Sequence, residues 1–474
     1  MRPVNRIVIV GGGTAGWLSA AYLLKRKRKQ CEIIVVDKTV SETVSVGEAT
    51  IISFKQFMYD CGFSVEQWFT AIDATFKCGI IYKDWQQEGK NLWHPFGHLP
   101  DKLNLWTNYK EFDFHKHACA FYDPAVTENK ISQSAIGSFA YHIDCGKLVK
   151  FIKSKILNEI TFVPQGVIDV NRNERGGISS IKLESGEEVE SDLFIDCTGF
   201  KRLLGLKYEG IYCGDRLFCD SAIAGHVNYI DPDSEMQPYT ECHAVDHGWI
   251  WKTPIQSRLG SGLVFNKSIS DVDEVKEFFC KYWNNRVTPD DLKVLDWTPH
   301  YRKTFWHDNV VCIGLSAGFI EPLESSGIAL ITSGLTSLAH SIAGNRYDDL
   351  NAWRYNLKMQ GYFEQCVDFV NMHYAYNKRK TGKFWEYVQK VYTKTKALEF
   401  FEYESSNNPY ELPCGCDDID IFTGESWSLF LCQMIPDNIC NKESSLPPTS
   451  FFSMSGDYIL HKDFVLKYNK MVAL

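Results

Sequence analysis

The chain has 474 residues, of which 45% are hydrophobic, 14% aromatic and 23% charged, an ordinary globular composition with an aromatic interior. Its length exceeds what a single hydrophobic core usually serves, so two intimate lobes are expected. A net charge of −9 argues against nucleic acid as a partner, and no run of about 18 apolar residues offers a membrane span.

The first elements are the clearest. RIVIV, Arg6 to Val10, has the pattern of a buried strand, and the glycines from Gly11 to Gly16 form a turn. Trp17 to Lys29 has helical character, and EIIVVD, ending at Asp37, reads as a second buried strand. This β-α-β unit predicts a sheet that begins parallel and doubly wound. The basic run Lys25 to Lys29 falls where that helix ends, where cations suit the dipole, and is expected to be solvated. The apolar run before the glycines is too short for a signal peptide. The 16 cysteines therefore read as reduced thiols, and the protein as cytoplasmic. Cys414 and Cys416, with Cys432 and Cys440, are the one clustering, and their spacing lacks the paired C-x₂-C of zinc sites.

Further along, Asp192 to Phe200 and Asn309 to Phe319 look like later strands of the same sheet, each closing in a glycine turn. Asn91 to Asp123 and Asp231 to Phe265 are aromatic and less regular, and Ser325 to Ile342 and Trp353 to Arg379 are the longest helix candidates. In HGWIWKTPIQ, period-two spacing puts Trp249 and Trp251 on one face of an extended segment that ends at Pro254.

Gly11, Gly13 and Gly16 satisfy G-x-G-x-x-G. The motif needs a tight turn at the first glycine, bare backbone beside a pyrophosphate at the second, and close helix–strand packing at the third. The helix N-terminus supplies amides to the phosphates. Asp37 follows Gly16 by 21 residues, where an acid meets a ribose hydroxyl. Dinucleotide binding is expected, and the later segments Asp192–Phe200 and Asn309–Phe319, which resemble the later strands of FAD-dependent oxidases and hydroxylases, favour FAD over NAD.

Several segments together resemble the flavin-dependent halogenases of the tryptophan halogenase family. These are GGGTAGW (Gly11–Trp17), VGEAT (Val46–Thr50), YHID (Tyr141–Asp144), DLFIDCTGF, WIWKTP (Trp249–Pro254), GLSAGFIEPLESSG (Gly314–Gly327) and DFVNMHY (Asp368–Tyr374), with Phe384-Trp385 beyond. The likeness covers roughly four fifths of the chain. W-x-W-x-x-P and EPLES are the specific parts. Thr253 departs from the usual isoleucine, Ile52 from proline and Ser326 from threonine, and the C-terminal substrate-covering region does not align; Tyr403, Tyr410, Trp427 and Phe451 are candidates for its aromatics.

The resemblance implies an α/β protein: a doubly wound, Rossmann-like FAD-binding lobe of the FAD-dependent hydroxylase type with an inserted, mainly helical substrate lobe. The first would comprise 1–90, 140–225 and 300–345; the second 91–139, 226–299 and 346–474. FAD, used as FADH2, would meet Gly11, Gly13, Thr14, Ala15, Gly16, Asp37, Glu48, Ala49, Gly314 and Leu315. Molecular oxygen and chloride, bromide or iodide would be co-substrates, with halide on the amides of Ser326 and Gly327. Hypohalous acid made at the flavin would reach Lys77, in FKCG, and halogenate an electron-rich indole- or phenol-type aromatic. That ring would lie against His94 and Phe96, beside Glu324, which would stabilise the cationic ring and take its proton. Trp249, Trp251, Pro254 and Ser325 would line the barrier and passage between the two sites. With no second nucleotide motif, a separate NAD(P)H-dependent flavin reductase is the implied partner; homo-oligomerisation stays open. An FAD-dependent aromatic monooxygenase and a non-catalytic flavin-binding protein are the competing readings.

Overall fold

In the computed structural model, residues 1–27, 30–38, 47–96, 130–132, 140–205 and 209–407 are described, with 421–422, 426–427, 430, 433–434 and 458–472. Arg28, Lys29, Val46, Tyr410, Phe451 and the cysteines 414, 416, 432 and 440 lie outside them.

The glycine loop leaves a six-stranded sheet ordered Thr161–Val163, Glu32–Val36, Arg6–Val10, Leu193–Asp196, Val310–Cys312, Trp306–His307. The first five strands run parallel and the last antiparallel. The four central strands are those expected from their continuous apolar runs, which a sheet covered on both faces requires; the edge strands Thr161–Val163 and Trp306–His307 are not foreseen from the sequence. Alternation assigns the faces. Ile7, Ile9, Ile33, Val35, Leu193 and Ile195 join the main core with the helix Thr14–Lys27. Val8, Val10, Ile34, Val36, Phe194 and Val310 pack instead on Ile178, Ile181 and Leu183 of a three-stranded antiparallel sheet. The basic run ends the helix as expected, yet Lys27 is buried and donates to Ile342 O at the end of the helix Ser326–Ser341. It caps a second helix rather than standing in solvent.

Beside the long helix Asp349–Tyr374 stands a seven-stranded sheet that adds strands to the helical second lobe the sequence suggests. Its order is Lys293–Asp296, Ser221–Val227, Leu259–Phe265, Gly248–Pro254, Thr240–Val245, Gly79–Lys83, Asn91–Pro95. All neighbours are antiparallel except Thr240–Val245 with Gly79–Lys83. The strand holding both tryptophans ends at Pro254, as its sequence indicates. Trp251 lies opposite Gly262, whose missing side chain makes room for the indole.

Another three-stranded sheet joins Glu48–Ala49, Ala140–Ile143 and Thr75–Lys77, with the lysine strand on its edge. Among the described residues no helix is long and apolar enough to cross a membrane.

Candidate active site

The glycine loop is built as its motif demands. Gly11 takes φ +108°, and a Cβ there would collide with Cys197 O, while one on Gly16 would collide with Gly11 O. A Cβ on Gly13 would meet nothing within 4 Å, so its backbone is bare toward a cleft of about 360 Å³. Of the residues assigned to the cofactor, Gly13, Thr14, Ala15, Glu48, Gly314 and Leu315 line this cleft, joined by Gly327 from the halide pair. Asp37 stands at the end of its strand with its carboxylate against Gly12, beside the loop. Ala49 shares the Glu48 strand without lining the cleft. A bare glycine, a helix N-terminus and a nearby acid fit a dinucleotide such as FAD. Burial pushes the Glu48 carboxyl up to about 7, against the hydrogen bond it accepts from Cys145 N at 3.2 Å.

One short segment connects this cleft to a second, buried cluster. Pro322–Glu324 form a 3₁₀ turn, Ser325 takes a left-handed backbone (φ 60°, ψ 28°), and the helix Ser326–Ser341 starts immediately after. Pro322 and Gly327 face the cleft, whereas Glu324 and Ser325 reach the other way. Lys77 Nζ donates to Ser325 Oγ at 2.8 Å and to Thr50 O at 3.1 Å. The Phe96 ring stands 5.0 Å from the same nitrogen. Lys77 is fully buried; burial, opposed by the charge of Glu324, brings its ammonium down to about 7. An ammonium has three N–H groups, so two are committed and a third is left for a ligand.

Glu324 is 1% exposed and takes three hydrogen bonds. Tyr82 OH donates to Oε1, His373 Nε2 lies 2.6 Å from Oε1, and His94 Nδ1 lies 2.8 Å from Oε2. Burial alone would favour the neutral acid, but His94 and His373 outweigh it and hold the carboxyl far below the usual range. The His373 Nδ1 faces Phe369 O at 2.7 Å, so both nitrogens of this ring meet acceptors. Of the two residues expected to stack on substrate, His94 therefore grips the carboxylate and Phe96 covers the lysine.

Trp249 and Trp251 share one face, ring centroids 6.3 Å apart, and neither lines the cleft. Trp249 packs on Trp85 at 6.0 Å, and the Trp85 indole N–H donates to His373 O at 2.8 Å. Pro254 O accepts from Thr75 Oγ1 at 2.5 Å, on the lysine strand. Tyr82 and His373 are the members that sequence reasoning missed; the only signal was the histidine inside DFVNMHY. Among the C-terminal aromatics, Trp427 is buried edge-on to Phe369 at 4.8 Å and Phe430 lies 4.1 Å from His373, while Tyr403 is exposed. No described group of His, Cys, Asp and Glu is arranged to hold a metal ion.

The chain is similar to known proteins along most of its length. The sequence profile of the tryptophan halogenase family matches residues 6–439. A tryptophan 6-halogenase of Streptomyces albogriseolus is 28% identical over 443 residues, covering 86% of this chain and 83% of that protein. A tryptophan 7-halogenase of Lentzea aerocolonigenes is 27% identical, covering 81% and 78%. Among solved structures, a flavin-dependent halogenase from Xanthomonas campestris superposes with a TM-score of 0.83 at 26% identity, over 100% of this chain and 95% of that one. Another from Brevundimonas gives 0.79 at 26%, over 99% and 96%. With fold, cleft and profile in agreement, the chain is a flavin-dependent enzyme that belongs to the tryptophan halogenase family.

Proposed function

We propose that this enzyme halogenates an electron-rich aromatic of indole or phenol type, with Lys77 handling the oxidant and Glu324 the ring. Reduced FAD bound in the cleft would supply hypohalous acid from oxygen and halide. The observation that carries the reading is the contact of Lys77 Nζ with Ser325 Oγ, residues 248 apart in sequence, in the segment whose next turn borders the flavin cleft. The amides of Ser326 and Gly327, at the start of a 16-residue helix, offer a small anion positive dipole without a cation. Hypohalous acid leaving that point meets the third N–H of Lys77, which holds it by hydrogen bonding or, as the neutral amine, takes the halogen.

Transfer to the ring is balanced as HOX + ArH → ArX + H2O, the ring proton leaving to a base. Glu324 is charged in its present bonds, so it stabilises the cationic ring electrostatically. Its strength as a base rises once His94 gives up Oε2, because each lost donor raises the carboxyl. The indoles of Trp249 and Trp251, packed through Trp85 behind His373, serve this reading as a rigid wall rather than a lining. The reductase is a separate protein and the enzyme acts in the cytoplasm.

The test supplies a flavin reductase, FAD, NADH and one of chloride, bromide or iodide to a panel of indoles and phenols. Mass spectrometry then searches for halogenated product. Halide-dependent product that disappears in Lys77→Ala, while reduced-flavin oxidation continues, supports the assignment. Hydroxylated product formed without halide refutes it, and full yield in Lys77→Ala refutes the role of the lysine.

A further inference from the structure

We propose that the C-terminal helix His461–Val472 locks the lysine strand in register, and that His461 is the positioning residue through which it does so. This rests on the reading of Lys77 given above.

The lysine strand, Thr75–Lys77, has three residues and forms the edge of its sheet. So short an edge strand is weakly held by pairing alone, and a slip of one residue would turn Lys77 to the opposite face. Alternation points Phe76 away from Thr75 and Lys77. The Phe76 side belongs to the C-terminal helix, with Phe464 at 5.1 Å and Tyr468 at 5.4 Å between ring centroids. His461, the first residue of that helix and fully buried, closes the edge itself: Phe76 N donates to His461 Nε2 at 3.3 Å. His461 Nδ1 lies 3.0 Å from Met236 O. A carbonyl only accepts and an amide only donates, so one form satisfies both contacts, the neutral ring with its hydrogen on Nδ1. Burial favours that form, bringing the imidazolium down to about 4.

The helix is tied on at its far end too. Thr70 Oγ1 donates to Asn469 Oδ1 at 2.6 Å, and Asn469 Nδ2 to Gln256 Oε1 at 2.7 Å. Gln256 Nε2 then donates to Ala74 O at 2.7 Å, immediately before the lysine strand. On the opposite face, Thr75 is held by Pro254 O and by His142 Nδ1 at 3.0 Å. The strand is thus clamped from both faces, and only the C-terminal clamp comes from outside the segments that carry the family motifs.

Three variants test this in the full chain with FAD: His461→Gln, which can still accept and donate; His461→Phe, which keeps a ring but does neither; and Asn469→Leu, which cuts the distal tie. One readout needs no halogenation: cyanate, which modifies only the neutral amine, is applied across pH and the Lys77 peptide is quantified by mass spectrometry. The second is halogenated product per reduced flavin consumed. Wild type and His461→Gln should share one labelling midpoint. His461→Phe should move it up by about one unit or more, as water reaches the amine, and lower product per flavin about tenfold. Asn469→Leu should shift both readouts in the same direction by less. A His461→Phe protein that binds FAD normally with an unmoved midpoint overturns the proposal, as does an unmoved midpoint in Asn469→Leu, or equal damage from Gln and Phe. If the midpoints move as stated and wild type yields no halogenated product, the positioning stands and the proposed function fails.

Discussion

Replacing Lys77 by methionine should make the protein more stable at neutral pH and remove a pH dependence that the lysine creates. The amine takes its proton at about 7 in the folded protein against 10.5 for an ordinary lysine. Between those values the unfolded chain holds a proton that the folded one has released, so wild-type stability rises with pH across that window. At about 1.4 kcal/mol per unit, the full difference approaches 5 kcal/mol, and about 2 kcal/mol of it is recovered between pH 7 and 9. Methionine has similar length and no charge to bury, but it leaves Thr50 O and Ser325 Oγ without their donor, a loss of roughly 1–3 kcal/mol. The variant should therefore be about 2 kcal/mol more stable than wild type at pH 7 and level with it at pH 9. Urea unfolding of both proteins at the two pH values measures this, because other titrating groups cancel in the comparison. A difference between the proteins that stays constant with pH would refute the reasoning that Lys77 is buried with a depressed proton affinity.

Glu324→Gln keeps the shape and removes the charge that His94 and His373 hold; product formation should fall roughly 100-fold with reduced-flavin oxidation intact. The depressed carboxyl of Glu324 lends stability that is present above the ordinary carboxylate range and fades as pH falls, so the same variant should flatten acid unfolding, read by circular dichroism. Two glycines of the loop should separate folding from binding. Gly16→Ala meets Gly11 O and should yield unfolded protein. Gly13→Ala meets no protein atom within 4 Å, so it should fold normally and bind FAD more weakly by isothermal titration. Removing Trp85, which joins Trp249 to His373, by Trp85→Leu should cost about 3 kcal/mol in a urea melt and lower product yield, with FAD affinity unchanged.

Local pattern carried the parts of this molecule that local physics decides. The strands around Arg6–Val10 and Leu193–Asp196 were legible because a sheet covered on both faces needs continuous apolar runs, and the loop because Gly11 and Gly16 have no room for a side chain. Lys77 and Glu324 were legible only through their motif contexts. The contact of Lys77 with Ser325, the residue after Glu324, is a long-range one that no window of sequence contains. Tyr82 was invisible for a related reason: a tyrosine in an apolar strand reads as core, and its hydroxyl finds Glu324 only because the Gly79–Lys83 strand joins Thr240–Val245 in parallel. The same pairing made the seven-stranded sheet hard to foresee, since two of its strands come from much earlier in the chain. His461 lies in a tail whose composition gave no periodic signal strong enough to place it.

The left-handed turn at Ser325 couples two tasks to one pair of backbone angles. Its side chain tethers the lysine, and its backbone sets where the next helix begins, hence the direction in which the amides of Ser326 and Gly327 open. A glycine at this position would relax the angles and release the tether together, whereas an asparagine accepts the conformation and offers a longer acceptor. On the proposed mechanism, the distance from those amides to the lysine amine would thus be adjustable through a single residue that need touch neither the flavin nor the aromatic ring. If that mechanism holds, exchanging Ser325 should alter the escape of free oxidant while leaving the flavin cleft and the Glu324 cluster their own shape.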